Sequence, residues 1–448
     1  MPRKISLGSF ALTNMLCALF LFFLFFLFPF RLLSADLNKE LRNSTPDTIR
    51  LSLQQAETLF LEENLLLIAE RLNVDIKDAE IRQARLWENP EIEIEHQIIN
   101  RERSGPVGFT GSDNTVFEIE QLITTAGKRG RIIQLLELEK RQTEHQFDLL
   151  LREFKRNLRE EFFQLAFLNR IEGLYQEQID ALERILHSFE EQQQQGNIAR
   201  LEIIRVRSLL LELQQEYNAV LGDQIESQNA LKILLQLQEE VPVPELPDDF
   251  ETMAFQVAGL DVDELIEIAR TSRSDLLATE TAADAAQQLL RVERANAFPD
   301  VGIGLVYDQL DGPVDNYFGI TLNVQLPLWN RNQGNIRAAR HQIRQSELVK
   351  VQQQQTIRHE IEQSVRRYER AVHLFDITDE SYEQDFASII ESLLRQYQNG
   401  DIRLIEFIDF YESFRESVIR NYDIREEFLK AAEDLNYTVG RDIFEFNF

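Results

Sequence analysis

Two stretches of alternating residues, each set between long helical patterns, restrict what this chain can fold into more than any other feature. In one of them Val301, Ile303, Leu305 and Tyr307 recur at every second position, as do Phe318, Ile320, Leu322, Val324 and Leu326. A period of two places each set on one face of a strand, with Gly319, Thr321, Asn323 and Gln325 on the other. Asp311-Gly312-Pro313 lies between the arms, so a β-hairpin is expected over about 298–327. Residues of about 90–122 repeat the design, with Ile92, Ile94, Phe117 and Ile119 alternating with Glu91, Glu93, Glu95, Glu118 and Glu120 around a Gly/Ser-rich loop. A lone hairpin is marginal in water, whereas arms of about ten residues match strands that cross a membrane barrel. Four strands cannot close a barrel, because an edge facing lipid leaves backbone groups unsatisfied. Three chains pooling their strands into a twelve-stranded barrel are therefore expected.

The rest of the chain reads as helix. A pattern over 51–87 stops at Asn89-Pro90, where the residue before proline is pushed toward extended geometry. After the first hairpin an unbroken helical pattern covers 130–195 and would span about 100 Å, too long for a globular domain. Gly196-Asn197 stops it, and a return helix is expected over 198–238. The order then recurs: a helix over 263–297, the second hairpin, a long helix over 335–398, Asn399-Gly400, and a return helix over 402–439. Gln121-Leu122 through Gly130 match Gln325-Leu326 through Gly334 at an offset of 204, as Gly196 matches Gly400, while Pro90 and Pro299 are 209 apart. The chain is a tandem duplication. Its expected parts are a signal peptide over 1–35, a first repeat over 36–240, a Pro-rich linker over 241–260, a second repeat over 261–440 and a C-terminal tail over 441–448. The expected fold class is mainly α with a membrane β-barrel: long helical hairpins forming a tunnel, plus four strands per chain. Runs such as Gln192 to Gln195 and Gln352 to Gln355 read as coiled-coil flanks.

Charge and cysteine content exclude several functions. With 76 acidic against 47 basic residues, the chain is not expected to bind nucleic acid. Arg3 and Lys4, the apolar run from Met15 to Phe28 and Leu33-Ser34-Ala35 read as a secretory signal cut after Ala35. An uncleaved anchor, or lipidation at Cys17, is the alternative. Cys17 is the sole cysteine, so the mature chain has no thiol for disulfides, catalysis or metal binding. His96, His145, His187, His341, His359 and His373 are scattered, with no pair at i, i+4. Gly302-x-Gly304 lacks a third glycine and reads as small-residue packing in a strand. No nucleophile elbow or phosphate loop is present, so neither an enzyme nor a cofactor is expected.

Within this frame, Thr125-Ala126-Gly127-Lys128-Arg129-Gly130 and Pro327-Leu328-Trp329-Asn330-Arg331-Asn332-Gln333-Gly334 are similar to the strand-to-helix segments of a known family. The chain resembles, over about residues 50–440, the outer-membrane efflux protein family typified by TolC, and within it the CzcC-like branch that serves heavy-metal efflux. The resemblance implies a homotrimer in outer-membrane lipid of a Gram-negative bacterium, with most of the chain in the periplasm. It also implies docking to a periplasmic adaptor and an inner-membrane pump of the resistance-nodulation-division type. It makes Gly196 and Gly400 adaptor-docking tips, and Glu202, Tyr397, Glu406 and Asp409 residues of a periplasmic gate. Three chains would then stack Glu406 and Asp409 as acidic rings that attract cations. The basic residue that the family often has two after the tip glycine is Ile402 here, with Arg403 next. Glu62 and Glu172 are expected to be solvated outer positions. Efflux of organic compounds and type I protein secretion are alternatives within this reading. A membrane-anchored coiled-coil scaffold is the alternative from another class, but it gives no reason for two hairpins of membrane-spanning length.

Overall fold

The computed structural model describes residues 50–96, 115–196, 198–238, 241–246, 261–311, 314–378, 389–390, 392–397, 399 and 401–446. The signal segment with Cys17, the first hairpin's loop, the turn residues 312–313, much of the linker and Gly400 lie outside the described residues. The elements are β1 (Arg50–Leu51), α1 (Leu53–Glu63), α2 (Leu65–Ala84), β2 (Glu91–His96), β3 (Thr115–Ile123), α3 (Lys128–Gln194), α4 (Arg200–Leu235) and β4 (Val243–Pro244), followed by α5 (Val262–Ser272), α6 (Ser274–Asn296), β5 (Val301–Asp311), β6 (Val314–Val324), α7 (Gln333–Phe375) and α8 (Leu404–Val439). Residues 389–390 and 392–397 are also helical.

The duplication is visible in the backbone. Each helix expected to lead into a hairpin is two helices, broken at one extended residue: Asn64 (φ −66°, ψ 109°) and Arg273 (φ −75°, ψ 110°). These breaks are 209 residues apart, as are the N-caps Ser52 and Asp261 and the prolines 90 and 299. The Asn64 carboxamide accepts from the Leu67 amide at 2.9 Å and donates to the Leu234 carbonyl at 2.9 Å, starting α2 and tying it to the end of α4.

The long first-copy helix is as expected, with α3 running 67 residues. Its counterpart is shorter: α7 stops at Phe375 after 43 residues, although a helix to 398 is expected from the sequence pattern. The Asp376 amide still bonds Val372 O at 2.8 Å, but the Thr378 amide and hydroxyl both turn back on Phe375 O, at 2.9 and 2.7 Å. A hydroxyl competing for the last carbonyls ends a helix in this way.

Four strands form one antiparallel sheet in the order β2-β3-β5-β6, so the two hairpins join through β3 and β5. β1 and β4 make a two-residue parallel bridge between the segment just before α1 and the linker. The core lies among the helices, where Leu158, Phe162, Phe163, Phe167, Phe407, Tyr411 and Leu429 are fully enclosed. Burying such a side chain contributes roughly 1.5–3 kcal/mol.

Residues 441–446, expected as a tail, belong to this core. Asn436 accepts from the Ile443 and Phe444 amides at 2.7 and 2.9 Å and donates to Phe444 O at 2.8 Å. Phe444 packs on Tyr368 and Phe446 on Phe163. Asp442 reaches Lys155 at 2.9 Å and Arg159 at 3.2 Å, and the same guanidinium holds Glu57 at 2.7 Å and Glu433 at 2.5 Å. Burial pushes the Glu433 carboxyl up to about 7 against the pull of Arg159.

Candidate functional site

The strand register sorts the sheet into two unlike faces. Ile94, Phe117, Tyr307 and Phe318 form one row across all four strands, and Ile92, Ile119, Leu305 and Ile320 form the next. Ile303 with Leu322, and Ile123 with Val301 and Val324, continue the same face. Its side chains are open to the surroundings, Phe318 at 76% and Ile320 at 79% of full exposure. An apolar patch of this extent needs a covering partner.

The opposite face carries Glu91, Glu93, Glu95, Glu118 and Glu120 with Gly302, Gly304, Gly319, Thr321 and Asn323. Glu91 lies directly across from Glu120 and Glu93 across from Glu118, pairings that repel unless water solvates them. Glycine makes room for the acids, since a Cβ at Gly302 would stand 2.0 Å from Glu120 Oε1. Thr321 Oγ1 donates to Glu118 Oε1 at 2.6 Å. A register slip of one residue would exchange the two faces.

The segments between strands and long helices are built alike but not at the expected offset. Gly127 (φ +66°) caps α3 and Asn332 (φ +57°) caps α7, 205 residues apart rather than 204. Gly130 and Gly334 therefore occupy different positions of the first helical turn, with open space where a Cβ would stand. Hairpin geometry explains the extra residue, because only an odd offset carries the apolar face of β3 onto that of β6.

At the first junction Lys128 Nζ reaches Asp300 Oδ2 at 2.8 Å, the Thr125 amide donates to Asp300 Oδ1 at 2.8 Å, and Arg129 lies 4.0 Å over the Trp87 ring. At the second, the Leu328 amide closes a tight turn around Pro327 onto Leu326 O. There Asn330 Oδ1 accepts from the Asn332 amide, Gln333 Oε1 accepts from the Arg331 amide, and Asn332 Nδ2 donates to Glu293 O.

Of the four residues expected at a gate, the structure brings Glu202 and Tyr397 together and leaves Glu406 and Asp409 apart from them. Gly196 adopts φ +79°, which a β-carbon would strain, where α3 turns toward α4. Glu202, in the first turn of α4, accepts from the Tyr397 hydroxyl at 3.1 Å. Burial, with help from that carboxylate, pushes the phenol up to about 12. Tyr397 also packs between Phe189 and Phe407, which leads on to Tyr411.

Glu406 is held by Arg403, whose amide and guanidinium both donate at 2.8 Å and keep its carboxyl below the usual range. Asp409 is exposed. The resemblance gives Arg403 no role, but the Arg-x-x-Glu spacing at a helix start is the local signal for this pair. Glu172 is not a solvated outer position: it is half-buried and accepts from Gln224 at 2.7 Å and Gln176 at 3.0 Å.

Among the described residues no group of three or more His, Cys, Asp or Glu could hold a metal ion. No described helix is long and apolar enough to cross a membrane. Among solved structures the fold is similar to CusC, at 17% identity, TM-score 0.69, and coverage of 87% of this chain and 92% of that one. It is similar also to the Campylobacter jejuni CmeC outer membrane channel, at 14% identity, TM-score 0.69, and coverage of 87% and 86%. The outer membrane protein VceC of Vibrio cholerae matches at 15% identity, TM-score 0.67, and coverage of 88% and 97%. No curated protein matches this sequence. The family model described as outer membrane efflux protein matches residues 58–235 and 265–410, one segment in each copy. The duplicated helical hairpins, the two-faced sheet and these matches agree: the chain belongs to the outer membrane efflux protein family.

Proposed function

We propose that three copies of this chain form a closed twelve-stranded barrel in the outer membrane, continued by a helical tunnel in the periplasm. The tunnel delivers cargo handed over by a periplasmic adaptor and an inner-membrane pump of the resistance-nodulation-division type. The observation that carries this reading is the sheet, whose edges β2 and β6 have no strand partner among the described residues and which has an exposed apolar face and an acidic one. Closing three sheets edge to edge removes every edge, turns the apolar rows to lipid and the glutamates to a water-filled lumen.

Gly196 and Gly400 are the adaptor-docking tips in this scheme, and Glu202, Tyr397, Glu406 and Asp409 form the gate. Heavy-metal cations are the cargo that fits best, because the carboxylates facing the lumen favour cations over anions. The test is a deletion strain complemented with this chain. Rescue of growth on divalent metals without rescue on organic toxicants supports the cargo, and the reverse pattern replaces it with organic efflux. Recovery of the chain in the cytosolic fraction would contradict the whole reading.

A further inference from the structure

Basic residues gather where the sheet meets the long helices, in a chain of formal net charge −29. Residues 124–136 hold Lys128, Arg129 and Arg131 and no acid, and residues 325–346 hold Arg331, Arg337, Arg340 and Arg344 and no acid. The first turns of α3 and α7 contain no acidic residue either. A helix N-terminus already carries about half a positive charge, so each nearby cation is disfavoured by roughly 0.3–1 kcal/mol. In the first group Lys128 is taken up by Asp300, Arg129 by the Trp87 ring and Arg131 by the Ala126 and Arg291 carbonyls. Arg331, Arg337 and Arg340 are exposed and form no ion pair with a described residue.

The chain's two tryptophans flank the same end of the sheet, Trp87 between α2 and β2 and Trp329 between β6 and α7, and they are 65% and 86% exposed. The sheet's apolar rows end just beside them, at Val301 and Val324. Tryptophan and arginine immediately beyond an apolar strand band match the chemistry of a lipid headgroup layer, where rings sit at the boundary and guanidinium groups meet phosphate. That layer is about 5–8 Å deep on each side of a bilayer. Arg337 lies about 6 Å along α7, within that depth, and Arg340 about 10 Å, beyond it by a distance that its long side chain, leaning toward the helix N-terminus, spans. Arg344 lies deeper and faces Glu347 at 3.6 Å instead.

We propose that Trp87, Trp329, Arg331, Arg337 and Arg340 form a collar that binds the headgroups of anionic phospholipids and sets how deeply the sheet sits in the membrane. This rests on the sheet lying in a membrane, as above. Full-length protein and a variant with Arg331→Gln, Arg337→Gln and Arg340→Gln are reconstituted into phosphatidylethanolamine vesicles with and without phosphatidylglycerol, then floated. Wild-type protein should enrich phosphatidylglycerol, and the variant should lose that enrichment by roughly five-fold for each charge removed. Tryptophan emission should be quenched more by lipids brominated near the headgroup than by lipids brominated at mid-chain.

In lipid-free detergent the variant should melt at the same or a higher temperature, because no ion pair with a described residue is lost and the cation next to the α7 N-terminus, Arg331, is removed. Unchanged phosphatidylglycerol preference, or strongest quenching at mid-chain, overturns the collar while leaving the barrel standing. A variant that melts earlier and loses its oligomer assigns these arginines to a neighbouring chain's acids, and likewise overturns it. Failure of the wild type to float removes the membrane reading and the collar together.

Discussion

Asn64 in the first copy and Arg273 in the second stand at equivalent positions and do the same work with different chemistry. Each interrupts the helix before a hairpin, and each donates to a carbonyl at the end of its copy's return helix. Asn64 Nδ2 reaches Leu234 O at 2.9 Å, and Arg273 Nη1 reaches Thr438 O at 3.0 Å, acceptors that are themselves 204 residues apart. Both remove the penalty of an orphan carbonyl at a helix end. The Asn64 amide adds the N-cap of α2, accepting from the Leu67 amide at 2.9 Å, whereas the Arg273 guanidinium adds ion pairs to Asp275 at 2.5 Å and Glu360 at 2.6 Å. Duplication has kept a hydrogen-bond geometry and let the residue change. One copy closes on a neutral joint and the other on a charged one.

The comparison breaks most visibly at the charged joint. Arg273→Ala leaves Asp275 without its main partner in a buried setting and should destabilise the protein by about 3–5 kcal/mol in chemical denaturation. Asn64→Ala should cost less, about 2 kcal/mol, from one unpaired buried carbonyl and the lost N-cap of α2. Equal losses at the two positions would show that the ion pairs around Arg273 add nothing.

Smaller effects come from pH, and they have opposite signs in the two ionic centres. Burial raises the Glu433 carboxyl beside Arg159 above its unfolded value of 4.5, so its contribution to stability is complete below about pH 4.5 and is lost as pH rises through about 7. Asp275 is lowered, its burial outweighed by Arg273. Its contribution is present above the unfolded value of 3.8 and disappears as pH falls below it. Melting temperatures across pH should show Glu433→Gln removing the loss toward neutral pH and Asp275→Asn removing the loss in acid. The smallest effect on stability is expected for Glu406→Gln with Asp409→Asn, both at the surface. Single-channel recordings of that pair should still show weaker block by multivalent cations if these acids face the pore.

What the sequence disclosed follows from periodicity. Strands with a period of two and helices with a period of 3.6 leave different traces, so both hairpins, α3 and the repeat order were legible. The breaks at Asn64 and Arg273 were not, because one extended residue hardly disturbs an apolar pattern that resumes at once. The stop at Phe375 depends on side-chain hydrogen bonds from Thr378, which periodicity does not register. Matching letters from Gln121 to Gly130 and from Gln325 to Gly334 suggested an offset of 204. The strands require an odd offset and the two helix caps stand 205 apart, since facing decides register and residue identity does not.

Tyr397 and Glu202 were named separately, from a resemblance. Their contact spans 195 residues and no local pattern carries it. The same holds for Arg159, whose partners Glu57, Glu433 and Asp442 come from three separate parts of the chain.

Everything proposed for the sheet depends on closure of its two free edges by other copies of the chain. Light scattering on protein extracted from outer membranes in mild detergent, with the detergent contribution subtracted, measures this directly. Closure predicts a single species with three times the mass of one chain. A monodisperse monomer that keeps the β2-β3-β5-β6 sheet would contradict it, and the exposed rows through Ile92 and Phe318 would then need another cover.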